Sequence, residues 1–278
     1  MAEAVTERVR RYILNGSDDD LRRLLGIAEI SAEMARAAFR RVGVQPGWTA
    51  IDCGCGPIGG LAVMAETVGP GGRIVGVDLN PAAVQRARAV VSALELGNVE
   101  VVAGDLHELD TSVLGGPFDL AYSRLFLMHQ ADPVRTLRRI AGLLRPGGWL
   151  VAQEALRIPA PRSHPLLEAL TGYWNLIYEL LDRAGVSPGT VEDLPRSALE
   201  AGFEVAGMSG CFQTTGPELF ELHASTLAAA RERATHVGIA AGRIDDLVQD
   251  IRAAKDGGYE WVSTPFYLDL TLHKPTAA

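Results

Sequence analysis

Between Trp48 and Gln153, short β-rich runs alternate with helical segments, and few folds are open to a chain patterned in this way. Thr49 to Asp52, Ile74 to Asp78, Val99 to Ala103, Phe118 to Tyr122 and Trp149 to Gln153 read as strands. Strands separated by helices in steady succession predict a parallel sheet covered by helices. The helix after the second strand is the best marked. Asn80 stands as its N-cap, Pro81 in its first turn, Val84, Ala87, Val91 and Leu94 along one face, and Gly97 at its close.

Residues 18 to 43 carry helical periodicity (Leu21, Leu24, Leu25, then Ala32, Met34, Ala38 and Phe39) that stops where Gly43 and Pro46 break the helix. Residues 1–46 are read as an N-terminal helical lid. After the fifth strand, Pro159, Pro161 and Pro165 lead into an apolar helix from Leu166 to Leu181. A further helix (Val191 to Ala201) and strand (Phe203 to Cys211) follow, and the last strand, Thr264 to His273, comes only after two more helical stretches. Residues 47–278 thus form one domain with helical cap insertions at about 156–190 and 214–262. No internal repeat or low-complexity tract divides it.

The formal charge of −8 supplies no positive field for a phosphate backbone or an anionic membrane, so neither nucleic acid nor membrane is an expected partner. Glu7, Arg8, Arg10, Arg11 and Asp18 to Asp20 interrupt the first thirty residues, leaving no apolar run for a leader or a span, and a cytoplasmic location is expected. Three cysteines, Cys53, Cys55 and Cys211, give no disulfide framework, and no His/Cys cluster has zinc-ligand spacing, so no metal is expected.

The first strand runs into Asp52-Cys53-Gly54-Cys55-Gly56-Pro57-Ile58-Gly59-Gly60. Glycines at a strand-to-helix turn remove the Cβ atoms that would keep a cofactor from the backbone. Gly54, Gly56 and Gly59 also satisfy the dinucleotide fingerprint. The neighbours make the pattern more specific. Asp78 ends the second strand, Gly104-Asp105-Leu106 the third, Phe118-Asp119-Leu120 opens the fourth, and Leu144-Arg145-Pro146-Gly147-Gly148 precedes the fifth.

In motif content, order and spacing, residues 48 to 155 resemble the class I S-adenosylmethionine-dependent methyltransferases. The resemblance implies an α/β, Rossmann-like, seven-stranded, mostly parallel sheet with an antiparallel last strand. It implies S-adenosyl-L-methionine as donor and S-adenosyl-L-homocysteine as product. On that similarity, Asp52 and the backbone at Gly54, Cys55 and Gly56 hold the methionyl part, Asp78 the ribose hydroxyls, with Leu79 beside it, and Asp105 with Leu106 the adenine. A carboxylate suits the ribose, since it accepts two hydroxyl hydrogen bonds at once and favours a nearby sulfonium. Ile58 departs from the pattern, standing where many members carry another glycine. Tyr12, in Tyr12-Ile13-Leu14-Asn15-Gly16-Ser17-Asp18, resembles a lid tyrosine that reaches the cofactor's carboxylate in one bacterial branch; packing against the core is the other reading.

Methyl transfer asks chiefly for alignment, because the donor is already activated. A base is needed only for a protonated acceptor. Within Ser123-Arg124-Leu125-Phe126-Leu127-Met128-His129-Gln130, His129 is the candidate base, or else it only orders the loop or touches the cofactor without moving a proton. Ser123 is placed with the cofactor-binding positions. Arg124 could clamp the methionyl carboxylate or anchor the loop to a surface acid. Glu154 could face the acceptor or sit at the rim beside Arg157. Tyr173, with Trp174 and Tyr178, could form an aromatic wall or ordinary helix core. His164 and His223 lie on the two insertions and could enter the same pocket or stand as surface histidines, and Cys53 and Cys55 are read as small residues filling the turn.

The reading is of a methyltransferase acting on a small organic acceptor, a specialised metabolite, in a pocket closed by the insertions. The alternatives are an S-adenosylmethionine-binding protein without methyl transfer and an NAD(P)-dependent oxidoreductase. Exposed cap helices could pair two copies into a homodimer.

Overall fold

The computed structural model describes residues 19–57, 59–156, 163–184, 189–212, 214–215, 218–264 and 266–276. Helix α1 (Asp19–Val42) leads to β1 (Thr49–Cys53), α2 (Leu61–Val68), β2 (Arg73–Asp78), α3 (Pro81–Ala93), β3 (Val99–Ala103) and α4 (Thr111–Leu114). Next come β4 (Phe118–Arg124), a 3₁₀ turn (Leu127–His129), α5 (Pro133–Leu143) and β5 (Leu144–Leu156). The remainder comprises β6 (Ser163–His164), α6 (Glu168–Arg183), α7 (Gly189–Glu192), α8 (Leu194–Glu200), β7 (Glu204–Cys211) and β8 (Thr214–Thr215). It closes with α9 (Glu218–His236), α10 (Ala241–Ala253), β9 (Trp261–Ser263) and β10 (Phe266–His273).

Seven strands form one sheet in the order β3-β2-β1-β4-β5-β10-β7. The pairings among β1 to β5 are parallel. β10 runs antiparallel to both β5 and β7. This is the expected Rossmann-like sheet with its last strand reversed. The order turns back between β1 and β4, the switch point at whose carboxyl ends open α/β sheets take their ligands.

Alternation along each strand feeds two cores. In β1, Ala50 packs with Phe39, Met64, Val84 and Tyr122 on one face. Ile51 and Cys53 pack with Leu137, Ile140, Leu194 and Phe203 on the other. The side chain of Asn80 caps α3 by accepting the Ala82 N–H at 3.0 Å, as the sequence predicts. Its buried stripe is Val84, Ala87 and Val90, with Val91 only partly covered.

The described part of the N-terminal segment is a packed element. Ala35, Ala38, Phe39 and Val42 of α1 are buried, and the Phe39 ring meets Tyr122 of β4 edge-on with centroids 5.4 Å apart. Arg41 pairs with Asp269 of β10. Residues 1–18, Tyr12 among them, and Ile58 lie outside the described residues.

The cap differs from the expectation of helices alone. β6, β9 and β8 form a second, antiparallel sheet that stitches the two insertions together. Strands as short as β6 and β8 carry too little alternation to show in a sequence. Leu170, Trp174 and Leu176 of α6 share one core with Phe220 and Leu227 of α9, Ile244 and Ile251 of α10, and Val262 of β9. The helix expected over Val191 to Ala201 is two, α7 and α8, parted at Asp193 with Pro195 in the first turn of α8. No helix among the described residues is long and apolar enough to cross a membrane.

Candidate functional site

β1 delivers its glycine turn over the end of β2, where Val77 O accepts the N–H groups of Gly54 at 2.8 Å and Cys55 at 2.9 Å. Two carboxylates then brace the turn. Asp78 Oδ2 accepts the Gly56 N–H at 2.8 Å, and Asp52 Oδ2 accepts the Gly60 N–H at 2.8 Å. Gly54 and Gly56 both stand at positive φ, +71° and +56°. A Cβ on Gly54 would run into the Phe126 ring, whereas one on Gly56 would meet only open space. The turn is therefore a cradle left open on its Gly56 side.

Asp52 is buried, and burial pushes its carboxyl up to about 6 although the Gly60 amide and the Arg124 charge hold it down. Asp78 accepts the Asn80 N–H through its other oxygen at 2.8 Å. A carboxylate offers about four acceptor sites, so two further hydroxyls can still be bonded. Beside it Leu79 stands 70% exposed. At the end of β3 the exposed Asp105 turns one oxygen onto the His107 N–H at 2.8 Å. The Leu106 side chain is buried, and its carbonyl accepts from Arg139 Nε at 2.8 Å. Cys53 and Cys55 are buried thiols pushed up by burial, small fillers of the turn as the sequence suggested.

Ser123 and Arg124 end β4. Ser123 is buried, and its Oγ has no hydrogen-bond partner among the described residues. Arg124 is half-buried, and its charge bears on Asp52. Among the described residues no acid lies within ion-pair reach of it, so the alternative in which it anchors the loop to a surface acid is not what the structure shows. Arg124 thus brings a cation that makes no ion pair among the described residues to bear on the buried acid of Asp52.

His129 closes the 3₁₀ turn and is exposed. The protein packed behind it, and then the charge of Arg233 on α9, hold its imidazole below the ordinary histidine range. Glu154 corrects a sequence reading. β5 continues past Gln153, so Glu154 is a strand residue only 1% exposed, not a rim residue. Burial pushes its carboxyl up to about 7 against the amides of Leu127, Phe126 and Met128.

Tyr173 lies on α6. It is buried in the cap core, its ring 4.8 Å from that of Trp174 and 4.6 Å from that of His223. The aromatic stripe is helix core. His223 is a second correction, since it is buried with Nε2 3.2 Å from the Ser263 carbonyl. His164 is exposed, as expected.

The sequence reading missed Phe126 and a polar chain beneath the turn. Tyr122 Oη donates to Gln153 Oε1 at 2.6 Å, Gln153 Nε2 donates to Asp269 Oδ1 at 2.8 Å, and Asp269 pairs with Arg41. Asp269 had left a signal, an acid inside the apolar strand Phe266–His273. Phe126, in an apolar run, had left none.

A family profile described as a methyltransferase domain matches residues 45–184, half of the chain. The chain belongs to the methyltransferase domain family. Over 161 residues this methyltransferase-domain chain is 37% identical to an uncharacterized 37.1 kDa protein in transposon TN4556 of Streptomyces fradiae, covering 58% of this chain and 45% of that one. Over 149 residues it is 34% identical to the nocamycin O-methyltransferase of Saccharothrix syringae, covering 52% of each. The chain therefore spans about half the length of these curated relatives. Among solved structures, the [4+2]-cyclase SpnF superposes with a TM-score of 0.57 at 20% identity, covering 89% of this chain and 82% of that one. Haemonchus contortus phosphoethanolamine N-methyltransferase 2, in complex with S-adenosyl-L-methionine, gives 0.52 at 21%, covering 87% and 52%. At such identities the two superpositions speak for the fold alone.

Proposed function

We propose that this chain binds S-adenosyl-L-methionine at the β1 glycine turn and transfers its methyl group to a small organic acceptor, a specialised metabolite, in the cytoplasm. The observation that carries the reading is Asp78. It braces the Gly56 amide at 2.8 Å while keeping acceptor capacity for two hydroxyls, at the mouth of a cradle left open above Gly56.

The residues fit that cofactor part by part. Asp78 takes the ribose hydroxyls, with Leu79 as an apolar surface beside it. Asp105 and Leu106 flank the adenine. Asp52 and Arg124 offer opposite charges to the ammonium and carboxylate of the methionyl group, with the backbone of Gly54, Cys55 and Gly56 beneath and Ser123 alongside. Tyr12 is assigned to the carboxylate end from the sequence resemblance. The bound donor supplies an electrophilic methyl on a sulfonium. His129, its imidazole held below the ordinary histidine range, accepts the acceptor's proton. Glu154 and Tyr173 are the other sequence candidates for the base; Glu154 spends its oxygens on the amides of Phe126, Leu127 and Met128, and Tyr173 lies in the cap core, so the role goes to His129.

The acidic chain favours a neutral or cationic small molecule over a polymer, and the nocamycin enzyme's name supports an oxygen acceptor on a natural product. A donor-binding protein that does not transfer methyl is the second reading; a [4+2]-cyclase shares the fold. The two separate in one experiment. The chain is incubated with S-adenosyl-L-methionine and a panel of hydroxylated aromatic and polyketide-like acceptors, and S-adenosyl-L-homocysteine is followed. Acceptor-dependent accumulation supports transfer, and donor binding without accumulation across the panel opposes it.

A further inference from the structure

We propose that Glu154 is a positioning residue for the donor site, holding the turn after β4 so that Phe126 lies against the glycine turn. This rests on reading that turn as the S-adenosyl-L-methionine site.

The carboxylate of Glu154 faces no solvent, and no cation pairs with it among the described residues. Its partners are three consecutive amides. Oε1 accepts the N–H of Phe126 at 3.1 Å and of Leu127 at 2.8 Å, and Oε2 accepts the N–H of Met128 at 3.3 Å. A buried acid is costly unless its lone pairs are met, and here one turn meets them. Such an arrangement has a function when it fixes something that would otherwise move.

What it fixes is visible one residue earlier. Leu125 stands at φ +51°, a left-handed conformation that a non-glycine residue keeps only where its surroundings over-determine it. Its own N–H is tied to the Gln153 carbonyl at 2.8 Å. From the far end, Gln130 Nε2 donates back to the Phe126 carbonyl at 3.2 Å. The left-handed step at Leu125 redirects the chain, and the next side chain, Phe126, then abuts Gly54 closely enough to leave no room for a Cβ. Glu154 on β5 therefore shapes the wall of a pocket on β1 through backbone amides, without touching the donor.

The test is a double-mutant cycle in the full chain, read by calorimetric titration with S-adenosyl-L-homocysteine. Glu154→Gln keeps the shape and one accepting oxygen but turns an NH2 group onto the remaining amide, and it should weaken binding about tenfold. Phe126→Ala should weaken it as well. In the Phe126→Ala background, Glu154→Gln should cost less than about twofold, because the wall it positions is gone. Should the Gln variant fail to melt cooperatively, Glu154→Asp, which keeps the charge one methylene short, replaces it with the same expectation. Unchanged affinity in the single variant, or a tenfold loss that persists without the Phe126 ring, overturns the proposal. Absence of binding by the unaltered chain would instead overturn the donor reading.

Discussion

The carboxylate of Asp78, at the end of β2, accepts the backbone N–H of Gly56, in the turn after β1, at 2.8 Å. The same side chain caps its own turn through the Asn80 N–H. Asp78→Ala should therefore lower affinity for S-adenosyl-L-homocysteine by about 100-fold or more, the loss of two charge-assisted hydroxyl contacts. The thermal midpoint should shift by only a few degrees, since Asp78 stands at the carboxyl end of β2, outside the hydrophobic cores. Calorimetry and a melt on the same samples check both parts.

His129→Ala should reduce turnover far more than donor affinity, because its ring stands past β4 and, among the described residues, makes no hydrogen bond to the glycine turn. Its lowered pKa keeps the imidazole neutral, and so able to take a proton, further into acid than an ordinary histidine. The acid limb of the activity profile should lie below pH 6.5, the ordinary value. A limb at or above that value would place the titrating group elsewhere.

Glu154 makes stability depend on pH. Its folded carboxyl is pushed up to about 7 from 4.5, so folding favours the protonated form. The stability it contributes is intact below pH 4.5 and is lost as pH rises through 7, a loss on the order of 3 kcal/mol. Asp52, raised from 3.8 to about 6, acts in the same direction over a lower window. Glu154→Gln should then melt higher than the unaltered chain at pH 8 and no higher at pH 4, even while it binds the donor less well. Equal melting at both pH values would deny the buried charge.

Phe39→Ala should cost about 3–5 kcal/mol, the range for emptying a buried phenylalanine site. The fully buried ring meets Tyr122 edge-on, and denaturant unfolding measures the loss.

The sheet was legible because its signals are local. Asn80 and Pro81 announce α3, the glycines after Asp52 announce the turn, and the acids at 78 and 105 mark strand ends. The wall of the site was not legible, because it depends on distant pieces meeting. Glu154 looked like a rim residue once Gln153 was taken as the end of β5, yet the strand runs on to Leu156 and carries it inside. Phe126 reads as one more apolar residue, and only the left-handed step at Leu125 aims it at Gly54. His223 looked like a surface residue because nothing nearby in sequence shows Tyr173 and Trp174 closing over it.

The central claim is the donor site, and calorimetric titration with S-adenosyl-L-homocysteine, with NAD and NADP run in parallel, tests it most directly. Micromolar binding of S-adenosyl-L-homocysteine alone, about −8 kcal/mol, is the predicted result. No binding, or binding of a nicotinamide cofactor in its place, would contradict it.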